Sequence, residues 1–221
     1  MNKEIVLSLK NVSYRYPDAA KDEYVLKNIN YEFEKGKTYA IKGKSGSGKT
    51  TLLSLISGLE KKYEGEISYK DKKLSKMNLD DYRSQNVGIV FQSYNLLPHL
   101  TALENIILSM DISKVKADDK KCLAINLMEQ VGLSKNMANR RILKLSGGEQ
   151  QRIAIARSLS YNPEIILADE PTGNLDHDTE TEILNIFSDL AHKQNKCVII
   201  VTHSGNVCNL VDKVYELKKE N

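Results

Sequence analysis

The apolar residues of this chain fall into two textures. Residues 4 to 16, 24 to 34 and 65 to 71 alternate polar with apolar, which predicts half-buried strands and an antiparallel β edge. From Ser84 to Ser160 the spacing becomes mostly helical, as in Ala117 to Val131 with Leu123, Ile125, Leu127 and Met128, and one strand-like piece interrupts it at Val87 to Phe91. Beyond lie an unbroken apolar run at 165–168, a helix over 177–194, a second apolar run at 197–202 and a closing segment from Val211 to Lys218. Unbroken apolar strands belong to sheets covered on both faces, and strand–helix alternation gives a mostly parallel sheet with right-handed crossovers. The expected architecture is α/β, one domain over 1–221. Residues 1–83 and 161–221 form a core with its β edge, and 84–160 form a helical subdomain.

Chemistry enters at Gly43-Lys44-Ser45-Gly46-Ser47-Gly48-Lys49-Thr50, which fits G-x-x-x-x-G-K-[ST] and follows the strand-like Thr38-Tyr39-Ala40-Ile41. Glycines let the backbone curl around β- and γ-phosphates, Lys49 offers them a point charge, and the Thr50 hydroxyl can ligate Mg²⁺. Thr51 to Ser57 reads as a helix stopped by Gly58. A flexible Gly/Ser turn does not explain why Lys-Thr opens an apolar helix directly after a strand.

The run Ile165-Ile166-Leu167-Ala168 ends in Asp169-Glu170, two acids at the carboxyl end of a buried parallel strand, where such sheets place their sites. Successive strand side chains point opposite ways, so Asp169 can face a metal ion while Glu170 faces an attacking water. His203 ends the strand-like Cys197 to Thr202 and falls in the same crevice. Taken alone, a single histidine there is more often structural.

Leu145-Ser146-Gly147-Gly148-Glu149-Gln150-Gln151-Arg152 sets up a second anion seat: a Ser-Gly-Gly turn opening the helix-compatible run Glu149 to Leu159. With the phosphate loop and the acidic strand end, this makes the chain resemble ATP-binding subunits of ABC transporters over nearly its whole length, in the group serving MacB-like exporters, lipoprotein release and FtsE-like division complexes. The resemblance implies a P-loop ATPase fold and a dimer in which Ser146, Gly147, Gly148 and Glu149 of one subunit cap the ATP held by Gly43 to Thr51 of the other. It places Gln92 at the loop that contacts Mg²⁺ or water and senses a membrane partner. Asp176, in Asn174-Leu175-Asp176, falls in the loop that crosses the dimer interface, although it can also be the N-cap of the helix that follows. His203 takes the position that bonds the γ-phosphate and orients Glu170. Tyr16, 27 residues ahead of Gly43, aligns with the adenine-stacking aromatic, with Tyr14 as the alternative. Two departures stand out: Ser204 where many relatives carry an acid, and Lys44 where relatives commonly have Pro, which adds a charge near the phosphates. The family's membrane subunit docks beside Gln92, here expected on Gln92 to Leu108 with Tyr94, Leu97, His99 and Leu100 exposed. ATP and Mg²⁺ are the implied substrate and cofactor. The partners are a second copy and an integral membrane permease, and the activity is export or extraction of a lipophilic or peptide-like substrate, or force transmission without transport.

Composition narrows the remainder. The balance of 32 basic and 29 acidic residues, +3, has no single-sign block and gives no footprint for nucleic acid. No segment approaches the ~20 apolar residues that span a bilayer, and Met1 to Leu7 lacks a leader's apolar stretch, so a cytoplasmic protein, peripheral on the inner face of the membrane, is expected. No further C-terminal domain is expected after 218. Cys122, Cys197 and Cys208, odd in number and without metal spacing, read as free thiols. A P-loop kinase or GTPase would leave the Leu145–Arg152 motif unexplained, and the chain has no Asn-Lys-x-Asp guanine motif.

Overall fold

The computed structural model describes residues 4–20 and 23–218. Residues 1–3, on which the expectation of no leader partly rests, lie outside the described residues, as do 219–221. In chain order the elements are β1 (Ile5–Tyr14), β2 (Leu26–Glu34), β3 (Thr38–Lys42), α1 (Lys49–Ile56), β4 (Glu64–Tyr69), β5 (Lys72–Lys73), α2 (Leu79–Gln85) and β6 (Val87–Val90). They continue as α3 (Ala102–Ile112), α4 (Lys120–Gln130), α5 (Gly147–Leu159), β7 (Ile165–Asp169), α6 (His177–His192), β8 (Cys197–Thr202), α7 (Gly205–Asn209) and β9 (Lys213–Glu216).

Two sheets result. The alternating segments pair antiparallel in the order β2-β1-β4-β5, and the apolar strands pair parallel in the order β6-β7-β8-β3-β9. The inner strands β3, β7 and β8 of the parallel sheet are buried on both faces, which explains why their sequences do not alternate, whereas the edge strand β9 is largely exposed. Ile165 and Leu167 of β7, with Cys197, Ile199 and Val201 of β8, pack toward α1 and the antiparallel sheet. Ile166 and Ala168, with Val198 and Ile200, pack on the other side with α5 and α6. Helix α6 turns Ile183, Leu184, Phe187, Leu190 and Ala191 inward, the i, i+4, i+7 stripe of a helix lying on a sheet.

The strand piece expected inside the helical subdomain belongs instead to the core. β6 pairs with β7 in parallel register from Val87↔Ile165 to Val90↔Ala168, so the change to helical packing comes after β6 rather than at residue 84. Four residues were enough, because a strand buried beside β7 is held by its ladder rather than by length. The helix read over 117–131 is shorter: Asp119 caps it by accepting the Cys122 N–H at 2.9 Å, which puts residues 117–119 outside. The helix read to 194 ends at His192, before Asn195 at φ +57°. Cys122 is exposed, Cys197 buried and Cys208 half-buried, and all three are free. Among the described residues no helix is long and apolar enough to cross a membrane.

Candidate active site

β3 lies between β8 and the edge strand β9, so the loop leaving its carboxyl end opens beside the end of the central strand β8. That loop turns through Gly46 at φ +75° and Gly48 at φ +89°, conformations that favour glycine. Gly48 has a second constraint: a Cβ there would meet Leu26 and Val25 side-chain carbons at 2.9 Å. Gly48 is also the N-cap of α1 and supplies no side-chain acceptor, so the first N–H groups of the helix are left for an anion. Ser47 Oγ is buried without a partner, and a Cβ on Gly43 would come within 2.3 Å of it. The loop is thus tightly folded, and its unspent donors suit a polyphosphate.

Lys49 opens α1 with its ammonium held over the loop, donating to Gly43 O at 2.9 Å and Lys44 O at 3.2 Å. The same nitrogen is 3.8 Å from Glu170 Oε1. The next residue, Thr50, donates its hydroxyl to Asp169 Oδ2 at 3.3 Å. Burial pushes the Asp169 carboxyl above the usual carboxylate range, and the charge of Glu170 adds to this, while the Thr50 hydroxyl and Lys49 oppose it. Thr50 and Asp169 are hard oxygen donors one hydrogen bond apart and fit Mg²⁺, which commonly takes one or two protein ligands and completes its shell with phosphates and water.

Glu170 follows Asp169 with its backbone at φ +45°, its N–H still donating to Val201 O at 2.9 Å. Its carboxylate is gripped by His203, whose Nδ1 lies 2.8 Å from Oε1 and whose backbone N–H donates to Oε2 at 3.3 Å. A carboxylate can accept from a ring N–H, so this contact suits an imidazole whose Nδ1 carries a proton. A carboxylate, a histidine bonded to it, a cation and a pair of oxygen donors therefore converge beside the carboxyl ends of adjacent parallel strands.

These groups line one cavity of about 700 Å³, which also takes in Tyr16, Ser45, Gly46, Gly48, Thr51 and Gln92. Of the two tyrosines, Tyr14 is buried, with its hydroxyl on Glu60. Tyr16 stands 48% exposed at the rim, edge-on to Tyr14 with centroids 5.3 Å apart and its hydroxyl 3.1 Å from Thr51 Oγ1. Gln92 follows β6 and approaches the loop after Glu170 so closely that a Cβ at Gly173 would be 3.1 Å from its Nε2. Val25 also lines the cavity, and no motif signals it.

Other expected residues lie elsewhere. Lys44 is exposed and lines a neighbouring cavity of about 480 Å³ with Lys42, Gly43, His203 and Lys218, so its charge is not among the groups facing the main cavity. Ser146, Gly147, Gly148 and Glu149 form no part of the main cavity's wall. Ser146 and Glu149 close a reciprocal cap at the start of α5, Ser146 Oγ accepting the Glu149 N–H at 3.3 Å and Glu149 Oε2 accepting the Ser146 N–H at 2.6 Å. The two glycines permit close packing: a Cβ would meet Tyr94 Oη at 3.1 Å from Gly147 and Thr179 Cγ2 at 2.7 Å from Gly148. Asp176 caps α6, accepting from the Thr179 N–H at 2.9 Å and Thr179 Oγ1 at 2.7 Å.

Against known families, the model described as ABC transporter matches residues 26–173. The chain is 46% identical over 207 residues to an uncharacterized ABC transporter ATP-binding protein, YclH, of Bacillus subtilis (strain 168), covering 94% of this chain and 91% of that one. It is 40% identical over 224 residues to the lipoprotein-releasing system ATP-binding protein LolD of Treponema denticola, covering 100% and 98%. Among solved structures, the dimeric structure of MJ0796, a bacterial ABC transporter cassette, superposes with a TM-score of 0.86 at 39% identity, covering 96% of this chain and 94% of the other. A dimeric post-hydrolysis state of MJ0796 bound to ADP and Pi matches with a TM-score of 0.86 at 37% identity over 97% of each chain.

Proposed function

The chain belongs to the ABC transporter family as an ATP-binding ATPase subunit, and on that premise we propose that two copies close around two MgATP molecules and drive a membrane-embedded partner. In this reading Gly43 to Thr51 cradle the phosphates, Lys49 neutralises them, and Tyr16 stacks on the adenine. Thr50 and Asp169, with Gln92, hold Mg²⁺, which screens the charge on the transferring phosphoryl group when bound. Glu170 takes a proton from the attacking water, and His203, bonded to Glu170 through Nδ1, faces the γ-phosphate through Nε2. The contact that carries the reading is the Glu170–His203 pair beside Lys49: a strand-end acid with no task would not be held by two donors and faced by a cation.

Ser146 to Gly148 lie off the subunit's own cavity wall, at a helix start, and in this reading they reach the nucleotide of the facing copy. Asp176 lies at the same interface while capping α6. The protein sits on the inner face of the membrane through its partner. The likeness to LolD proteins over the full chain favours export or extraction of a lipophilic or peptide-like cargo.

Glu170→Gln tests the chemistry and the assembly together. The variant should retain MgATP binding and lose ~10²–10⁴-fold in turnover, the range for removing a general base. In sedimentation it should run as a monomer without nucleotide and a dimer with MgATP. Adding Ser146→Arg should abolish that dimer and spare ATP binding by the monomer. Near-wild-type hydrolysis by Glu170→Gln would refute the assignment of the base, and persistence of the dimer in the double variant would put the interface elsewhere.

A further inference from the structure

The two reacting side chains of this site stand on different loops. Glu170 precedes Pro171-Thr172-Gly173 and α6, while His203 precedes Ser204 and α7. The parallel ladder ends at Asp169↔Val201, with one further bond from the Glu170 N–H to Val201 O. Past that point β7 and β8 no longer pair with each other, and only Thr202, paired with Lys42 of β3, remains in a ladder before His203.

Glu180, the fourth residue of α6, lies between them. Its Oε1 accepts from Thr172 Oγ1 at 3.2 Å and from Ser204 Oγ at 3.5 Å, and its Oε2 accepts from Asn206 Nδ2 at 3.2 Å. His177 Nδ1, on the solvent side, is 3.8 Å from Oε2. The carboxylate is 16% exposed and Thr172 is 7% exposed, so these bonds are largely shielded from water. Donors from both loops converge on one charged group, and hydrogen bonds to a charged acceptor are stronger than neutral ones.

We infer that Glu180 is a positioning residue for ATP hydrolysis. It fixes the loop of Glu170 against the loop of His203, with Thr172 donating to its carboxylate from the first side and Ser204 and Asn206 from the second. The inference rests on the proposed roles of Glu170 and His203. Its physical basis is that the His203–Glu170 contact at 2.8 Å depends on the relative placement of two loop ends, and small displacements of a reacting group are costly. Glu180 touches neither nucleotide-facing group, so it acts on the rate and not on substrate capture.

The test is steady-state MgATP hydrolysis by the full chain. Glu180→Gln keeps the size of the side chain but turns an amide N–H₂ toward Asn206 or toward the hydroxyl donors. Its kcat should fall ~10–100-fold, the range for partners that orient functional ligands, with KM for MgATP within about twofold of wild type. Ser204→Asp, added to Glu180→Gln, returns a carboxylate to the same cluster and should recover most of the lost rate. Ser204→Asp alone should slow the enzyme, because two carboxylates then face one another. A Glu180→Gln kcat within twofold of wild type overturns the inference, and so does a loss that Ser204→Asp does not repair. If Glu180→Gln fails to fold, Thr172→Val deletes a single donor and should lower kcat severalfold at constant KM; unchanged kcat there is equally fatal. Glu170→Gln and His203→Ala serve as controls. If they hydrolyse like wild type, the reading of the site has failed; if they are inactive while the Glu180 and Thr172 variants are normal, only the positioning role has.

Discussion

Glu170 takes φ +45°, a left-handed conformation that costs a non-glycine residue on the order of 1–3 kcal/mol. The surroundings enforce it: its N–H is tied to Val201 O, its C=O accepts from Gly173, and His203 holds its carboxylate from two atoms. The turn brings the acid to within 3.8 Å of Lys49, so one ammonium serves both the loop carbonyls and the base. In the proposed mechanism that ammonium exchanges its carbonyl partners for phosphate oxygens when ATP enters. Lys49→Ala should therefore weaken nucleotide capture itself. Charge-assisted hydrogen bonds contribute about 1.5–3 kcal/mol, so MgATP binding measured by calorimetry should loosen roughly 10–100-fold. An unchanged affinity would remove Lys49 from the phosphate site. Asp169 gives a complementary readout. Burial and the charge of Glu170 hold its carboxyl above the usual range, and a bound cation would reverse that balance. Asp169→Asn should raise the Mg²⁺ concentration needed for half-maximal hydrolysis by at least an order of magnitude, as expected when the one charged protein ligand among Thr50, Gln92 and Asp169 is lost. The same Mg²⁺ requirement in both proteins would take the metal away from the end of β7.

At the scale of elements, the antiparallel and parallel sheets are joined by one acid just ahead of β7. Glu164 accepts from Lys35 at 3.1 Å, from Lys70 at 2.8 Å and from the Tyr69 hydroxyl, linking the turn after β2 and the end of β4 to the core. Burial alone would raise its carboxyl, but the bonds from Lys70, Tyr69 and Lys35 outweigh it and hold the group at about 2. A carboxyl lowered on folding contributes stability that is present above its unfolded value, ~4.3, and is lost as pH falls toward the folded value. Glu164→Gln should cost on the order of 1–3 kcal/mol at pH 7, discounted for its partial exposure. The deficit should shrink between about pH 5 and pH 2, the window of that shift, in urea melts. A deficit independent of pH would mean that packing, not charge, sets the junction. This linkage also marks the limit of what the sequence discloses. Residues 165–168 and 197–201 are readable as strands because burial on both faces leaves them wholly apolar, and the loop at 43–50 is readable because its spacing is imposed by phosphate geometry. β6, by contrast, is four residues in a helical region, and only its partner β7 makes it part of the core. The Glu180 cluster joins residues 8, 24 and 26 apart, each an ordinary polar residue on its own. No local pattern encodes such a convergence, nor that Tyr14 is buried with its hydroxyl on Glu60, 46 residues away, while Tyr16 stands exposed.

For the molecule as a whole, the proposed coupling requires that a signal from the membrane partner reach the turn at Ser146. The segment after Gln92 has the contacts for that proposed route. Tyr94 and Asn95 sit at φ +59° and +49°, and Arg157 of α5 donates to both of their carbonyls. Gly147 leaves the space into which the Tyr94 hydroxyl fits. Displacing the 92–97 segment therefore pulls on the helix whose first turn is proposed to cap the other copy's ATP. Tyr94, expected at the surface, is instead half-buried against the helical core, and Leu100 is half-buried too, so neither suits a surface probe. Leu97 does: it is 38% exposed while its backbone N–H and C=O are clamped by Asn105. Leu108, 37% exposed on α3, offers a second position, with Ile112 one turn beyond it at 67%. An acid at an exposed position changes stability by only about ±0.5 kcal/mol, whereas one in the apolar centre of an interface leaves an unpaired charge against the partner, at a cost on the order of 2–5 kcal/mol. Leu97→Glu and Leu108→Glu should therefore keep the thermal midpoint and the partner-free ATPase rate of the wild type. Both should lose co-purification with the membrane protein that wild-type subunit retains in native detergent extracts. Retention by both folded variants would move the docking site away from Gln92 to Leu108. Loss by Leu97→Glu alone would confine it to the segment that Arg157 ties to α5, where the membrane signal would enter.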